Sequence, residues 1–147
     1  MTQVDRSALV LHSARQMFDL VNDVTNYPQF LPWCSGAEIL RDDEEEMVAR
    51  LHVAKAGFKY SFTTRNRLEA PDRIHLELEE GPFSSLKGFW AFTPLSEDAC
   101  KVSLNLSFDF AGKLTGLAMG KVFNQIAVAM VDAFCRQADR RYGGSSQ

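Results

Sequence analysis

The sequence predicts an α+β fold in which a curved antiparallel sheet of about six or seven strands wraps around one long C-terminal helix. Apolar residues recur at every second position through most of residues 46–110, an alternation typical of strands with one buried face. After Gly112 the spacing changes to three or four residues, as in an amphipathic helix. Because the sheet has one apolar face and the helix one apolar stripe, each is expected to bury against the other.

The composition indicates a single domain, residues 1–142, followed by a flexible Gly- and Ser-rich tail, residues 143–147. A formal net charge of −3 does not indicate a DNA partner. The three cysteines lack C-x-x-C spacing, which is typical of reduced thiols in the cytoplasm. There is no signal-peptide pattern and no run near the roughly 20 apolar residues of a membrane span. We therefore expect a cytoplasmic protein that at most contacts the inner membrane from its surface.

The N-terminal region is predicted to hold a strand, Val4 to Leu11, and then two short helices. Ser13 and Gln16 form an S-x-x-Q capping box, a signature of a helix start. The next apolar residues fall on one helical face, since they lie at positions i, i+3, i+4 and i+7. These residues are Met17, Leu20, Val21 and Val24.

The strands and the long helix are predicted from their apolar positions. The inward strand positions are Met47, Ala49, Leu51 and Val53, then Phe58, Tyr60 and Phe62, then Ile74, Leu76 and Leu78, and finally Cys100, Val102, Leu104, Leu106, Phe108 and Phe110. The helix is expected to reach about Tyr142, with one apolar stripe. This stripe consists of Phe123, Ile126, Ala127, Met130, Phe134 and Ala138.

The segment N-D-V-T-N-Y-P-Q-F-L-P-W-C-S-G, residues 22–36, is too interrupted by proline for a long helix and too apolar for a solvated loop. Two interpretations remain open. The segment is either a lid over an apolar cavity or a plug that completes the core. Its apolar side chains are Tyr27, Phe30, Leu31 and Trp33.

An apolar cavity between sheet and helix is the strongest candidate site, because a strongly curved sheet rarely closes completely on a helix. Gly112, Gly116 and Gly120 favour close packing of the helix, or else they leave room for a ligand. The candidate ligand-binding residues are the segment side chains Tyr27, Phe30, Leu31 and Trp33, the sheet side chains Phe58, Tyr60, Phe62, Leu76, Leu86, Trp90 and Phe92, and the helix side chains Leu117 and Phe123.

Catalytic and metal-binding patterns are missing from the sequence. His12, His52 and His75 lie in separate regions without ligand spacing, so no metal site is expected. No nucleophile elbow, phosphate-binding loop or dinucleotide fingerprint occurs. The inward positions offer almost no acid or base group, which indicates a protein that is not an enzyme and has no cofactor.

Basic residues on the outward phase of neighbouring strands form a possible contact surface for RNA or phospholipid. These residues are Arg50, Lys59, Arg65 and Arg67, and Arg136, Arg140 and Arg141 on the last helix extend the set. Ordinary pairing of the strand residues with Glu77 and Glu79 is the favoured alternative.

Three long segments resemble a known family: V-N-D-V-T-N-Y-P-Q-F-L-P-W-C (21–34), K-A-G-F-K-Y-S-F-T-T-R-N (55–66) and G-P-F-S-S-L-K-G-F-W-A-F-T-P-L (81–95). The chain resembles the bacterial ribosome-association toxin A proteins and the mitochondrial coenzyme-Q-binding proteins of the START-like (polyketide cyclase/dehydrase and lipid transport) superfamily. The resemblance covers essentially the whole chain. One departure is Phe89, where relatives often carry Gly.

The resemblance implies a helix-grip fold with a hydrophobic tunnel between the sheet and the C-terminal helix. For the coenzyme-Q branch it implies non-catalytic binding of ubiquinone, or another isoprenoid lipid, in support of respiration. This is the leading expectation. Tyr60 or Lys87 would contact the head group, and the segment from Tyr27 to Trp33 would form a mouth that touches the membrane interface.

The toxin branch supplies the alternative expectation. It implies association with the large ribosomal subunit, which blocks subunit joining and so inhibits translation. A cyclase or dehydratase on the same scaffold ranks third, because one fold hosts many functions and the inward positions lack acid and base groups.

Overall fold

In the computed structural model, which describes residues 2–143, seven strands and two α-helices surround one apolar core. The strands are β1 (Thr2–Val10), β2 (Cys34–Asp42), β3 (Glu46–Lys55), β4 (Phe58–Glu69), β5 (Arg73–Glu80), β6 (Phe83–Ser96) and β7 (Ala99–Phe110). The helices are α1 (Ala14–Asn22), a 3₁₀ helix (Val24–Gln29) and α2 (Leu114–Tyr142). Of the predicted flexible tail, residues 144–147 lie outside the described residues.

The strands form one antiparallel sheet in the order β1-β7-β6-β5-β4-β3-β2. Strands β2 to β7 are a meander, as the alternating runs and short acidic turns predicted. The first strand pairs with the last, so that Thr2 lies opposite Phe108 and Val10 opposite Cys100. This pairing begins two residues earlier than predicted and leaves Leu11 outside the strand. The predicted α+β fold, a curved sheet around a C-terminal helix, is confirmed.

The capping box predicted at Ser13 is present. The Gln16 backbone N–H donates to Ser13 Oγ at 3.1 Å, and the Ser13 backbone N–H donates to Gln16 Oε1 at 3.0 Å. The residues predicted for the inner face of α1 are buried together with Val24. Pro28 lies inside the following 3₁₀ helix, which turns the chain towards β2.

Helix α2 buries the predicted stripe against the sheet: Phe123, Ile126, Ala127, Phe134 and Ala138 are all at most 4% exposed. The Phe134 ring makes edge contacts with Tyr27, Phe30 and Trp90. Gly116–Tyr142 is long and apolar enough to cross a bilayer, but the core helix of a globular protein satisfies the same criterion. Helix α2 buries its apolar stripe against the sheet, as a core helix does.

Candidate functional site

An internal cavity of about 70 Å³ lies between the inner face of β3–β7, helix α2 and the 3₁₀ helix. Most of the lining is apolar. The lining residues are Val24, Tyr27, Ala49, Leu51, Phe62, Thr64, Asn66, Leu76, Leu86, Trp90, Leu104, Leu106, Phe123 and Met130. Sites that bury a drug-sized ligand measure about 300–1,000 Å³. The cavity in this conformation is therefore a small chamber rather than an open tunnel.

Part of the predicted ligand-binding set meets in this chamber: Tyr27, Phe62, Leu76, Leu86, Trp90 and Phe123. Leu31 and Phe92 are core residues, each 1% exposed. Trp33 is buried as well, and Phe30 packs edge-on against Tyr27 and Phe134. None of these last four lines the chamber. For Phe92 the reason is that alternation gives the face of a strand but not the height at which a side chain meets the helix, whereas Phe30, Leu31 and Trp33 lie in the segment between the 3₁₀ helix and β2.

Two further predicted residues lie towards the other end of the sheet. Phe58 is half-buried near the β3–β4 turn and does not line the chamber. Tyr60 packs its ring edge-on against Phe83 and Phe110. Its hydroxyl is buried and has no hydrogen-bond partner in the part of the chain that the structure describes, and burial raises its pKa above the usual value.

The structure does not place Leu117 at the internal chamber. Its side chain is 69% exposed and lines an outer groove of about 310 Å³ beside β7. Six helical positions separate it from Phe123, which at 3.6 residues per turn rotates it by about 120° from that inward residue. Contact with a ligand in the chamber is therefore excluded for Leu117 in this conformation.

The glycines of helix α2 line the same outer groove. At Gly116 a Cβ would lie 3.0 Å from the Ala111 carbonyl oxygen, so the loop before the helix packs closely on it. At Gly120 the nearest neighbour, in the Phe110 ring, would be 3.9 Å away. Close packing thus explains why position 116 carries a glycine, whereas position 120 has room for a side chain.

Thr64 and Asn66 are polar residues of the chamber that the sequence analysis missed. They are 8% and 7% exposed, and the Thr64 hydroxyl donates to Asn66 Oδ1 at 2.7 Å. Both continue the inward phase of Phe58, Tyr60 and Phe62 on β4. Their inward position on β4 could have identified them from the sequence, because polar side chains on the buried face of a strand need hydrogen-bond partners.

Tyr27 anchors the segment that closes the chamber. Its hydroxyl donates to the Val21 carbonyl oxygen at 2.5 Å, which ties the 3₁₀ helix to the end of α1. Burial, with smaller contributions from Cys34 and Asp23, raises the pKa of this hydroxyl far above the usual value. Leu31 and Trp33 are buried beside it. The segment thus fills the core, as the plug interpretation predicts, and its Val24 and Tyr27 also form one wall of the chamber.

Lys87 and Phe89 lie on the outer face of the sheet, opposite Ser107 and Asn105 respectively. The Arg73 guanidinium covers the Phe89 ring at 4.7 Å from its centroid. Phe89 therefore does not narrow the chamber. Lys87 cannot contact a ligand there either, so the predicted head-group role of Lys87 is wrong for this site.

One residue of the predicted basic stripe, Arg65, is neutralised by ion pairs. Arg65 forms ion pairs with Glu79 and, at 3.6 Å, with Glu46. Arg50 donates to Thr63 Oγ1 at 3.3 Å and lies opposite Glu38 across the β2–β3 pair. The pairing alternative therefore accounts for Arg65, whereas no ion pair is found for Arg50, Lys59 or Arg67 among the described residues.

A second charged region lies where the end of helix α2 meets the 3₁₀ helix. It is an open groove of about 620 Å³, lined by Asp23, Thr25, Asn26, Gln29, Gln137, Arg140 and Arg141. Arg141 pairs with Asp23 at 3.0 Å, and Arg140 donates to Gln137 Oε1 at 3.3 Å. No ion pair holds Arg140 or Arg136 among the residues described here. Of these two residues, Arg140 lines the groove, and its guanidinium group can bind an external anion there.

All three histidines form side-chain contacts with other residues of the fold. The buried His12 contacts Asp139 Oδ1 at 2.8 Å, His52 bonds Glu38 and Ser61, and His75 bonds Glu69. Among residues 2–143, no group of three His, Cys, Asp or Glu side chains is placed to hold a metal ion.

A seven-stranded antiparallel sheet that grips a C-terminal helix around an apolar chamber defines a START-like, helix-grip protein. The chain belongs to the polyketide cyclase/dehydrase and lipid transport family, whose model matches residues 10–135. It is 53% identical over 143 residues to the ribosome association toxin RatA of Vibrio cholerae, a match that covers 97% of this chain and 99% of that one.

More distant proteins share the fold. The mitochondrial coenzyme Q-binding protein COQ10 homolog B of Xenopus laevis is 29% identical, and the match covers 96% of this chain and 59% of that one. The Zhui aromatase/cyclase from Streptomyces sp. R1128 superimposes with a TM-score of 0.84 at 23% identity, covering 97% of this chain and 98% of that one. The relatives are named as a toxin and a binding protein, whereas the structural neighbour is named as an enzyme.

Proposed function

We propose that this protein is a ribosome-associated protein of the cytoplasm, and that it binds the large subunit and hinders subunit joining. The observation that carries the proposal is its 53% identity to a ribosome association toxin along nearly the full length of both chains. The match covers 99% of the relative, so nearly every part of that protein has a counterpart in this chain. The function named for the relative therefore needs no additional domain.

The groove at the end of helix α2 is the surface that best suits ribosomal RNA. Arg140 carries no ion pair among the described residues, and Asn26, Gln29 and Gln137 add amide donors. Guanidinium and amide groups are the usual partners of phosphate oxygens. The nearby carboxylates are already used, because Asp23 pairs with Arg141 and Asp139 with His12. This groove, in which amide donors lie beside an arginine without an ion pair, is the proposed contact surface.

Sedimentation with purified ribosomal subunits at several salt concentrations tests the proposal. We expect binding to the large subunit that weakens with salt, because phosphate contacts release counterions. Arg140→Ser should weaken binding and lower the slope of log affinity against log salt by about one. Arg65→Ser is the matched control, since that arginine is exposed but already paired. Failure to bind either subunit at low salt would overturn the proposal.

Binding of a hydrophobic ligand is the second proposed function, and the apolar chamber favours it. Ubiquinone or another isoprenoid lipid remains the proposed ligand. Each buried CH₂ contributes about 0.8 kcal/mol, so a few isoprenoid units would provide micromolar affinity. Since the chamber measures about 70 Å³, a quinone ring requires it to widen. The 3₁₀ helix is the wall best suited to move, because it is short and lies outside the sheet.

Solvent extraction of the purified protein, followed by mass spectrometry, tests this second function. We expect a quinone or other isoprenoid that decreases in Leu76→Glu, which places a charge at the chamber. Leu117→Glu is the control, since that side chain lies in the outer groove. Absence of any lipid, together with no binding of added quinone, would remove this function and leave ribosome association unaffected.

A catalytic role is not part of the proposal. Among the described residues that line the chamber, Tyr27 is the one ionisable side chain, and its hydroxyl is already bonded to the Val21 carbonyl oxygen. General acid–base catalysis needs a group whose pKa lies near the working pH. Contact with a membrane through Tyr27 and Trp33 has no support in this conformation either, because both side chains are buried.

A further inference from the structure

Thr64 and Asn66 stand out in the chamber because every strand neighbour of the pair is apolar. Thr64 lies opposite Ala49 on β3 and Leu78 on β5, and Asn66 lies opposite Met47 and Leu76. Both are more than nine-tenths buried. A polar side chain in such surroundings is costly unless its hydrogen-bonding groups find partners.

The hydrogen bond between these residues leaves one group unused. The Thr64 hydroxyl donates its proton to Asn66 Oδ1, so the hydroxyl proton and the amide oxygen are both satisfied. An asparagine amide nitrogen carries two N–H donors. Among the described residues, no hydrogen bond from the Asn66 amide nitrogen is found, and this nitrogen is not one of the fully buried unpaired atoms. Because Asn66 lines the chamber, its amide N–H groups are available to an acceptor on a ligand.

We infer that Thr64 and Asn66 form the polar recognition site of the chamber, in which the Asn66 amide donates to a neutral carbonyl oxygen of an apolar ligand. The inference rests on the proposed binding of a hydrophobic ligand and specifies its chemistry. Thr64 acts by positioning, because its hydroxyl holds the amide oxygen and turns the nitrogen towards the ligand. Ketones, quinones and esters carry the required acceptor.

A neutral acceptor fits better than a carboxylate. No Lys, Arg or His side chain is among the described residues that line the chamber. A buried carboxylate without a cation would be far more costly than a carbonyl group. A pure hydrocarbon would leave the Asn66 amide unpaired. The chamber therefore selects for an apolar molecule that carries one carbonyl group at the level of Asn66.

Two matched probes test this inference: duroquinone and durene, which share four methyl groups on a six-membered ring, but of which only duroquinone carries carbonyl groups. We expect the wild-type protein to bind duroquinone about three- to tenfold more tightly than durene, the range that one net hydrogen bond provides. Asn66→Leu should remove this preference by weakening duroquinone binding alone. Leu117→Ala, outside the chamber, should leave the preference unchanged.

Infrared spectroscopy supplies a readout that does not depend on affinity. The carbonyl stretch of bound duroquinone should shift to lower wavenumber in the wild-type protein and return towards its value in an apolar solvent in Asn66→Leu and Asn66→Ala. Thr64→Val should reduce the shift while Asn66 is intact, as expected of a positioning residue.

The possible outcomes distinguish the role of Asn66 from the binding of a hydrophobic ligand in general. Equal binding of both probes by the wild-type protein, or a preference that persists in Asn66→Leu, would overturn the role of Asn66 and leave ligand binding standing. If the wild-type protein bound neither probe and no added isoprenoid quinone, the ligand-binding function and this inference would both be overturned.

Discussion

The Thr64 hydroxyl donates a 2.7 Å hydrogen bond to Asn66 Oδ1 on the inner face of β4, within the apolar chamber. The two residues are two positions apart, so they share one face of the strand. This pair distinguishes the chamber from an ordinary gap in the core. A gap needs no polar lining, whereas a binding site needs a few polar groups that orient its ligand.

Without ligand, this pair is expected to contribute little to stability. The double variant Thr64→Val/Asn66→Leu should retain the free energy of unfolding or raise it by about 1–2 kcal/mol, because it removes an unpaired amide and fills part of the chamber. Thr64→Val alone should lower it by about 1 kcal/mol, since Asn66 Oδ1 then loses its donor. Urea denaturation measures both. A loss of more than about 2 kcal/mol in the double variant would show that the pair is structural.

The buried hydroxyls of Tyr27 and Tyr60 provide a matched comparison. Tyr27→Phe should lower the free energy of unfolding by about 1 kcal/mol, because the Val21 carbonyl oxygen loses its donor in the core. Tyr60→Phe should leave it unchanged or raise it, since the Tyr60 hydroxyl is buried and has no partner in the described part of the chain. Thermal unfolding of both variants checks this order. The reverse order would contradict the assigned bonds.

Two glycines of helix α2 should respond oppositely to alanine. Gly120→Ala is expected to stabilise the protein by up to about 1 kcal/mol, because alanine favours a helix and the site has room. Gly116→Ala should be about 1–2 kcal/mol less stable than Gly120→Ala, since the new Cβ meets the Ala111 carbonyl oxygen. Equal effects of the two substitutions in denaturant titrations would argue against close packing at Gly116.

The thiol of Cys135 should react slowly at neutral pH. Burial, with smaller contributions from Asp132 and Asp139, raises its pKa from 9.0 to about 11. Since the thiolate is the reactive form, its alkylation rate should rise about tenfold per pH unit and continue to rise up to pH ~10. Peptide mapping after iodoacetamide treatment measures this rate, with glutathione as the solvated control. A plateau near pH 9 in the folded protein would contradict the assignment.

Much of the fold was predictable because its signals are local. The alternation in β7, the capping box at Ser13 and the buried stripe of α2 each depend on residues that are close in sequence. The pairing of β1 with β7 was not predicted from these signals, since it joins the two ends of the chain.

The candidate site was predicted only in part. Alternation identified the inward face that holds Phe62 and Trp90, but it could not tell which inward residues reach the level of the chamber. Leu117 failed for a related reason, because its angle around α2 is set by the packing of the following turns. Asn66 was missed because a polar residue at an inward position looks like the end of a strand.

Which basic residues form ion pairs could be determined only from the structure. From sequence, pairing with Glu77 and Glu79 is favoured for the strand residues, including Arg65, but no partner is indicated for Arg140. In the β4–β5 register Arg65 lies opposite Glu77, and it forms an ion pair with Glu79 two positions further along β5. Arg140 has no carboxylate partner among the described residues. Ion pairing between strands depends on tertiary contacts, so the sequence suggested the partners of the strand residues but did not show which of those residues would pair.

Subunit joining tests the central claim, association with the ribosome, most directly. Purified large and small subunits are mixed with increasing amounts of the protein, and the fraction of joined ribosomes is measured by sucrose-gradient sedimentation. We predict that this fraction falls as the protein co-sediments with the large subunit, and that it falls less with Arg140→Ser than with Arg65→Ser. An unchanged fraction of joined ribosomes, with the protein left at the top of the gradient, would contradict the claim.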